Sequence, residues 1–273
     1  MWIRRIVAGI ALGSLLGVSV ACAPPNTPSA AATDIAVNVR TAHISAADTV
    51  APGWRRLTVD EVEGEHIVVV FRLPAETDPA TFLTALDSAP ATPPPAVAIG
   101  GPEVGARGEV VVHLEPGDYL LACVRRGDDG HRHALAGESR RLHVRAATAT
   151  DSVFAAPPPS AQTLQLADFA YVGPDHWAPG AQWLRIENTG KQDHQLRLAR
   201  MRDGATLATW MSASDPDSVA TTVVGMARVG PGQVAYLPLD LTPGAYVVYC
   251  LVADAASKRP HVELGMLRAI QVP

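Results

Sequence analysis

Four residues in the second half of the chain have side chains that bind soft transition metals. They are His194, Cys250, His261 and Met266. Two imidazoles, a thiolate and a thioether form the ligand set of a trigonal copper site with a weak axial methionine. Ten residues separate the cysteine from the second histidine, and four more separate that histidine from the methionine, so one loop can deliver three ligands. A distant segment has to deliver the first histidine.

Each of these residues also has a plain structural interpretation. A lone histidine on an apolar strand is more often a hydrogen-bonded core residue, and a lone cysteine or methionine more often packs as an apolar side chain. The four together are more informative than any one of them. We therefore predict a copper site in this half, with a metal-free core as the alternative.

The segments that carry the first two ligands have the pattern of β-strands. Residues 194–201, HQLRLARM, alternate so that His194 shares one face with two leucines. Residues 245–252, AYVVYCLV, place Cys250 on the apolar side at the end of a strand, and the preceding Pro-Gly predicts a tight turn. Both ligands are therefore expected to point into the core.

The chain contains a tandem duplication. LEPGDYLLAC at 114–123 matches LTPGAYVVYC at 241–250, and the same offset of 127 residues recurs at the Ala-Pro-Gly motif of each half. His66 aligns with His194 after a gap of one residue. Register kept over such distances indicates two copies of one structural unit.

The first copy retains a candidate metal site with a different fourth ligand. His66, Cys123 and either His131 or His133 occupy the ligand positions, and Glu138 stands where the second copy has its methionine. A carboxylate makes such a site harder and richer in oxygen. We expect this copy to be a decayed site kept for stability or contacts, with His133 and Glu138 completing the candidate set if metal binds.

The first 22 residues have the pattern of an export signal. Arg4 and Arg5 precede an apolar run that is short for a membrane-spanning helix and ends in small residues. The end of this run resembles the lipobox of bacterial lipoproteins, which predicts a lipid on Cys22 and attachment to a membrane of the cell envelope. Plain secretion without an anchor is the alternative.

Export makes the two remaining cysteines informative. Unpaired thiols are unusual in an oxidising compartment. Cys123 and Cys250 occupy equivalent positions in separate copies, and each is expected to face its own core, so a disulfide between them is geometrically awkward. Metal binding explains why such thiols are kept.

Composition divides the chain into segments. Two stretches rich in alanine and proline have little to bury, which is typical of a tether and a linker. The predicted organisation is a signal peptide at 1–22, a tether at 23–34, a first domain at 35–145, a linker at 146–162 and a second domain at 163–273.

Short apolar runs between turn-forming residues predict an all-β fold. The 22 glycines and 23 prolines punctuate these runs in the manner of a β-sandwich. Helices are expected at 78–86, where Asp78 is the cap, and at 204–211. A net charge of −5 without a basic stripe argues against a nucleic-acid partner.

The second copy resembles the cupredoxins, the blue copper family. NTGKQDH resembles the family's segment around its first histidine ligand, and TPGAYVVYC resembles its strand into the cysteine. HVELGM resembles the ligand loop in the type 1 domain of copper nitrite reductases. The resemblance covers residues 165–273 and, more faintly, 35–145.

This resemblance implies two tandem Greek-key β-sandwich domains. It also implies that His194, Cys250 and His261 are the strong copper ligands and that Met266 is the axial one. Gln195 stands where many members have an asparagine that braces the ligand loop.

The function implied by the resemblance is single-electron transfer by an envelope-anchored copper protein, whose redox partner the sequence does not identify. The alternatives are a metal-free binding or scaffolding module and a copper storage or delivery protein.

An oxidase or nitrite reductase is not expected, because these enzymes need a second copper centre that is connected through a histidine next to the cysteine. Cys250 is flanked instead by Tyr249 and Leu251. The sequence also has no nucleophile motif and no phosphate loop.

Overall fold

The computed structural model of the protein describes residues 34–62, 64, 66–88, 95–104, 108–148, 151 and 156–273. The predicted signal peptide, nearly all of the tether and the candidate lipid attachment site Cys22 lie outside the described residues. Within them, no helix combines the length and the apolar character needed to cross a membrane.

β-Strands dominate the described part of the chain, which confirms the predicted all-β class. The strands of the first copy are β1 Asp34–Arg40, β2 His43–Ser45, β3 Thr49–Val50, β4 Gly53–Val62, β5 His66–Arg72, β6 Val97–Gly100, β7 Pro102–Val104, β8 Gly108–Leu114, β9 Gly117–Cys123 and β10 Ser139–Val144. Those of the second copy are β11 Gln162–Ala167, β12 Ala170–Val172, β13 Gly180–Asn188, β14 His194–Met201, β15 Ala220–Val229, β16 Val234–Leu241, β17 Gly244–Tyr249 and β18 Leu267–Val272.

Both predicted helices are present. Helix α1 is Pro79–Ser88 and helix α2 is Leu207–Ser212. The backbone N–H of Thr81 donates to the Asp78 carboxylate at 2.9 Å, so Asp78 caps α1 as predicted. Helix α2 begins with a capping box at Thr206.

Strands of the two copies pair edge to edge and form two continuous sheets. One sheet has the order β12-β11-β13-β16-β8-β4-β1-β2, and the other has the order β18-β17-β14-β15-β6-β5-β9-β10-β3. The copies join where β16 pairs with β8 and where β15 pairs with β6. The largest cluster of buried apolar residues contains residues of both copies, and Val112 and Ala235 lie opposite each other at the join.

The side-chain directions predicted from alternation are confirmed. His194, Leu196 and Leu198 on β14 are fully buried, and so is the cysteine that follows β17. The opposite face of these strands is covered by α2, whose Trp210 packs against Tyr249 with ring centroids 4.8 Å apart. The sheet that carries the candidate ligands is therefore packed on both faces.

Equivalent tyrosines make the same contact in the two copies. The hydroxyl of Tyr119 donates to the carbonyl of Glu115 at 2.8 Å, and the hydroxyl of Tyr246 donates to the carbonyl of Thr242 at 2.8 Å. Both tyrosines belong to the Pro-Gly-x-Tyr-x-x-x-Cys motif. The repeated motif thus forms a repeated local structure, which supports the tandem duplication.

Asp151 in the predicted linker is tied to the end of the first copy. Arg145 donates to both carboxylate oxygens of Asp151, at 2.6 and 2.7 Å, and the N–H of Thr148 donates to the same carboxylate at 2.6 Å.

The described residues of the two copies belong to one compact unit. The division into two domains that are stable on their own stays a prediction.

Candidate metal centre

Three of the four predicted ligands in the second copy converge in one buried cluster. Nδ1 of His194 lies 3.1 Å from Nδ1 of His261, and Sγ of Cys250 lies 3.5 Å from the same Nδ1 of His261. His194 opens β14, Cys250 follows β17, and His261 opens the 3-10 turn His261–Leu264. All three side chains are fully buried. The fold thus brings together residues from three separate segments.

The spacing of these atoms fits a shared metal ion. At bond lengths of roughly 2.0–2.3 Å, two ligand atoms of one transition-metal ion lie roughly 3.2–3.9 Å apart. The distances of 3.1 and 3.5 Å are close to this range. Two nitrogens and a sulfur are also a donor set that suits copper. The residues present therefore fit a bound copper ion.

Burial favours the neutral forms of the side chains in this cluster. Burial lowers the pKa of His194, and the hydrogen bond to Asp168 offsets this effect only in part. Burial, together with the neighbouring His194, lowers the pKa of His261 to about 4. Burial also raises the pKa of the Cys250 thiol to about 11. Metal binding therefore has to displace the thiol proton, whereas the imidazoles are ready to bind.

Met266, the predicted axial ligand, is fully buried at the end of the same loop. Its N–H donates to the carbonyl of His261 at 2.9 Å, and its carbonyl accepts from the N–H of Cys250 at 3.2 Å. Gly265 has a φ of +107°, a conformation that favours glycine and lets the chain reverse after the 3-10 turn. The backbone of Met266 is thereby fixed beside the other two candidate ligands of the loop.

A carboxylate outside the predicted set orients His194. Oδ1 of Asp168 lies 3.1 Å from Nε2 of His194 and accepts from the N–H of Lys191 at 2.9 Å. Burial acts to raise the pKa of Asp168, but these hydrogen bonds outweigh burial and lower it. An anionic acceptor at Nε2 keeps the ring proton there, which leaves Nδ1 free to bind a metal.

Gly190 makes room for this pair. A Cβ at this position would lie 2.5 Å from Oδ1 of Asp168 and 2.7 Å from Nε2 of His194, which is too close. Asp168 is not among the residues predicted from the sequence, because it lies in a short turn between β11 and β12, far in sequence from the candidate ligands. The glycine four residues before His194 is the signal that could have indicated a close approach.

Gln195 braces the cysteine through its backbone. Its N–H donates to Sγ of Cys250 with an N–S distance of 3.4 Å. Its side-chain amide donates to Glu103 of the first copy at 3.0 Å. An N–H directed at sulfur stabilises the thiolate. Gln195 therefore connects the site to the other copy.

Asp254 braces the long loop between the cysteine and the second histidine. Its Oδ2 accepts from the N–H of Ser257 at 2.6 Å, and its Oδ1 accepts from the side chain of Gln192 at 2.9 Å. The first bond shapes the loop itself. The second ties the loop to the segment just before His194, the first candidate histidine ligand.

The four candidate ligands of the first copy converge as well. Single ligand atoms of His66, Cys123, His133 and Glu138 all lie within 4.8 Å of one another. Sγ of Cys123 is 3.7 Å from Nδ1 of His66 and 3.8 Å from Nδ1 of His133. Burial raises the pKa of the Cys123 thiol to about 12. The first copy thus retains the geometry of a metal site.

The structure also decides between the two candidate histidines of this copy. His131 lies at the surface, where its Nδ1 is 2.8 Å from Oδ2 of Asp87. His133 opens the 3-10 turn His133–Ala136 and faces the cluster. These two histidines are only two residues apart, so the sequence alone left the choice open.

No known protein family matches the sequence, and no curated protein matches it either. Several solved structures are similar in fold. A reduced auracyanin from Roseiflexus castenholzii is 18% identical, with a TM-score of 0.29, over 42% of this chain and 99% of that one. Auracyanin A, a "blue" copper protein from Chloroflexus aurantiacus, is 11% identical, with a TM-score of 0.27, over 41% and 96%.

A copper-containing nitrite reductase from Thermus scotoductus is similar over more of this chain. It is 15% identical, with a TM-score of 0.23, over 88% of this chain and 61% of that one. All of these TM-scores are low, so the function of the cluster has to be inferred from its own geometry.

Proposed function

We propose that the protein is a cupredoxin-like carrier of single electrons, with copper bound by His194, Cys250, His261 and Met266. The observation that carries this proposal is the convergence of two Nδ1 atoms and one Sγ in a fully buried cluster. When bound, copper would supply one-electron chemistry, because it alternates between two oxidation states.

The protein's part is to hold the ligands in place. Asp168 orients the ring of His194, and the N–H of Gln195 supports the sulfur of Cys250. Both ligand strands are packed on two faces, so their side chains have little freedom to move. A ligand set held in this way changes little between oxidation states, which suits a carrier.

The cluster is also shielded from water. The ring of Phe169 lies edge to face against His261, with centroids 5.2 Å apart, and all four candidate ligands are fully buried. A catalytic metal site keeps an open position for water or substrate. The enclosure of these ligands therefore favours electron transfer over catalysis, in line with the absence of a histidine beside either cysteine of the two copies in the sequence.

The decisive experiment is copper loading followed by visible spectroscopy and a redox titration. We expect the refolded protein to bind Cu²⁺ with a strong thiolate-to-copper band that disappears and returns over a one-electron cycle. Cys250→Ala should abolish the band of the second copy, and His194→Ala should do nearly as much. Met266→Gln should keep the copper and shift the potential, because the axial bond is weak.

The alternatives give different results. A metal-free binding module would bind no copper and show no band. A storage or delivery protein would bind copper but would exchange it readily with a chelator, without a reversible redox cycle. If Cys250→Ala bound copper as the wild type does, the carrier proposal would be wrong.

We further propose that the protein is exported and anchored to a membrane of the cell envelope through a lipid on Cys22. The support is the basic start, the apolar run and the lipobox-like end of the first 22 residues. Acyl chains supply the membrane affinity of a lipoprotein. Wild type should therefore fractionate with membranes and Cys22→Ser should not. Equal solubility of the two would indicate plain secretion.

A further inference from the structure

We propose that the first copy holds a second metal ion, bound by His66, Cys123, His133 and Glu138. This site should favour a divalent ion more strongly than the site in the second copy. The proposal goes beyond the electron-carrier function and does not depend on it. It replaces the expectation of a decayed site with that of a second centre of different character.

The four side chains have the spacing of a four-coordinate site. Oε2 of Glu138 lies 2.8 Å from Nδ1 of His66 and 3.3 Å from Nδ1 of His133. The sulfur of Cys123 lies 3.7 and 3.8 Å from the same two nitrogens. Ligand atoms around one tetrahedral ion lie roughly 3.3–3.8 Å apart at ordinary bond lengths. Little movement is needed to close these atoms on an ion.

The carboxylate is held in place from outside the cluster. Oε1 of Glu138 accepts from the N–H of Ala42 at 3.2 Å, so its other oxygen is directed at the two histidines. Gly137 has a φ of +111°, and a Cβ there would lie 2.5 Å from the carbonyl oxygen of Ala42. Gly137 corresponds to Gly265 of the second copy. The same chain reversal is therefore followed by a carboxylate, Glu138, in the first copy and by a thioether, Met266, in the second.

The two ligand sets differ in charge. A thiolate and a carboxylate together carry two negative charges, whereas a thiolate with a neutral thioether carries one. In a buried site, where charges are poorly screened, the first set balances a divalent ion and the second balances a monovalent one. A carboxylate oxygen is also a harder ligand than a thioether sulfur. With copper bound at both sites, the first copy should therefore have the lower reduction potential.

The first site is also more open. The side chain of His133 is 26% exposed, whereas Glu138, Cys123 and His66 are buried. His133 lines a surface cleft together with Gly127. A metal site needs a path by which the ion can enter. Here an ion can reach His133 without prior opening of the fold.

Single-site variants of the full chain test the proposal, with Cu²⁺ as the probe. Wild type should bind two Cu²⁺ per chain. Cys250→Ser isolates the first site and should bind one, and adding Glu138→Gln or Cys123→Ser should remove that ion or greatly weaken it. Circular dichroism of the metal-free variants checks the fold. Because Glu138→Gln preserves shape, it keeps the test valid if the cysteine variant misfolds.

A matched control is Glu115→Gln. Glu115 also contacts a histidine, His113 at 3.1 Å, but at the surface. This change should leave the copper content unaltered. A carboxylate–histidine contact by itself would then be excluded as the cause of binding.

The reduction potentials of the single-site variants test the difference in charge between the two ligand sets. Copper bound to Cys250→Ser should need a stronger reductant than copper bound to Cys123→Ser, which isolates the second site. Adding Glu138→Met to Cys250→Ser should raise the potential of the first site. The proposal is overturned if Cys250→Ser binds no Cu²⁺, or if its bound copper survives loss of both Cys123 and Glu138. Equal potentials at the two sites would overturn the claim of divalent preference. None of these three results would change the assignment of the second site.

Discussion

The side-chain amide of Gln195 donates a 3.0 Å hydrogen bond to Oε2 of Glu103, across the boundary between the two copies. Glu103 lies on β7, opposite Ile67 of β5 and Gly225 of β15. Its carboxylate also pairs with Arg197. The carboxylate of one copy therefore supports the segment that follows His194, the first candidate histidine ligand of the other copy.

Replacing Glu103 should destabilise the protein and disturb the second copper site. Burial raises the pKa of Glu103 despite its arginine partner. Glu103→Ala removes the acceptor that Arg197 and Gln195 share, and hydrogen bonds to a charged group contribute about 1.5–3 kcal/mol. Urea unfolding of the metal-free protein measures this loss. The copper band should also shift. Glu103 holds the side chain of Gln195, whose backbone N–H donates to the sulfur of Cys250.

The control for this variant is Glu263→Gln. Glu263 forms an exposed pair with Arg259 at 3.0 Å, close in sequence to His261. Such surface pairs contribute less than about 1 kcal/mol. If the two variants lose equal stability, the contact between the copies has no special role.

Asp168→Ala should weaken copper binding at the second site without unfolding the protein. The variant removes the acceptor for Nε2 of His194, and loss of such an outer partner typically costs about 10–100-fold in metal affinity. Competition with a copper chelator measures the change. Asp175→Ala is the matched control, since Asp175 contacts His176 at 2.8 Å on the surface. Unchanged affinity in Asp168→Ala would contradict the orienting role.

The contribution of Asp254 should disappear in acid. Hydrogen bonds, chiefly from the N–H of Ser257, lower the pKa of Asp254 from 3.8 to about 2 in the folded state. A carboxyl group whose pKa is lower in the folded state stabilises the protein above its unfolded pKa and loses this effect as pH falls through the folded value.

The stability difference between wild type and Asp254→Ala should therefore be constant above pH 5 and shrink between about pH 4 and 2. Urea unfolding of the metal-free proteins at a series of pH values measures it. A difference that grew as the pH fell would show that the sign is wrong.

Copper should enter the two sites at different rates. The ligands of the second copy are fully buried, whereas His133 in the first is partly exposed. Folded, metal-free Cys250→Ser should therefore take up Cu²⁺ faster than folded Cys123→Ser, because the second site has to open first. Refolding both variants in the presence of Cu²⁺ should remove the difference. Stopped-flow absorbance follows both reactions, and equal rates in the folded state would contradict the role of burial.

The sequence alone was sufficient for the features that depend on local pattern. Alternation on β14 placed His194 in the core, and the matched Pro-Gly-x-Tyr-x-x-x-Cys motifs identified the repeat. Alternation works because successive side chains of a strand point to opposite faces, so residue order determines direction. The all-β class and both helices follow from signals of the same short range.

Tertiary structure decided which distant groups meet. His131 is held at the surface by Asp87, so His133 faces the cluster of the first copy. Asp168 reaches the first histidine of the second copy from another strand pair, and Glu103 reaches Gln195 from the other copy. These contacts depend on the pairing and twist of strands far apart in the chain. Hydrophobic periodicity fixes the face on which a residue lies, but it carries no information about which residue of another strand lies opposite.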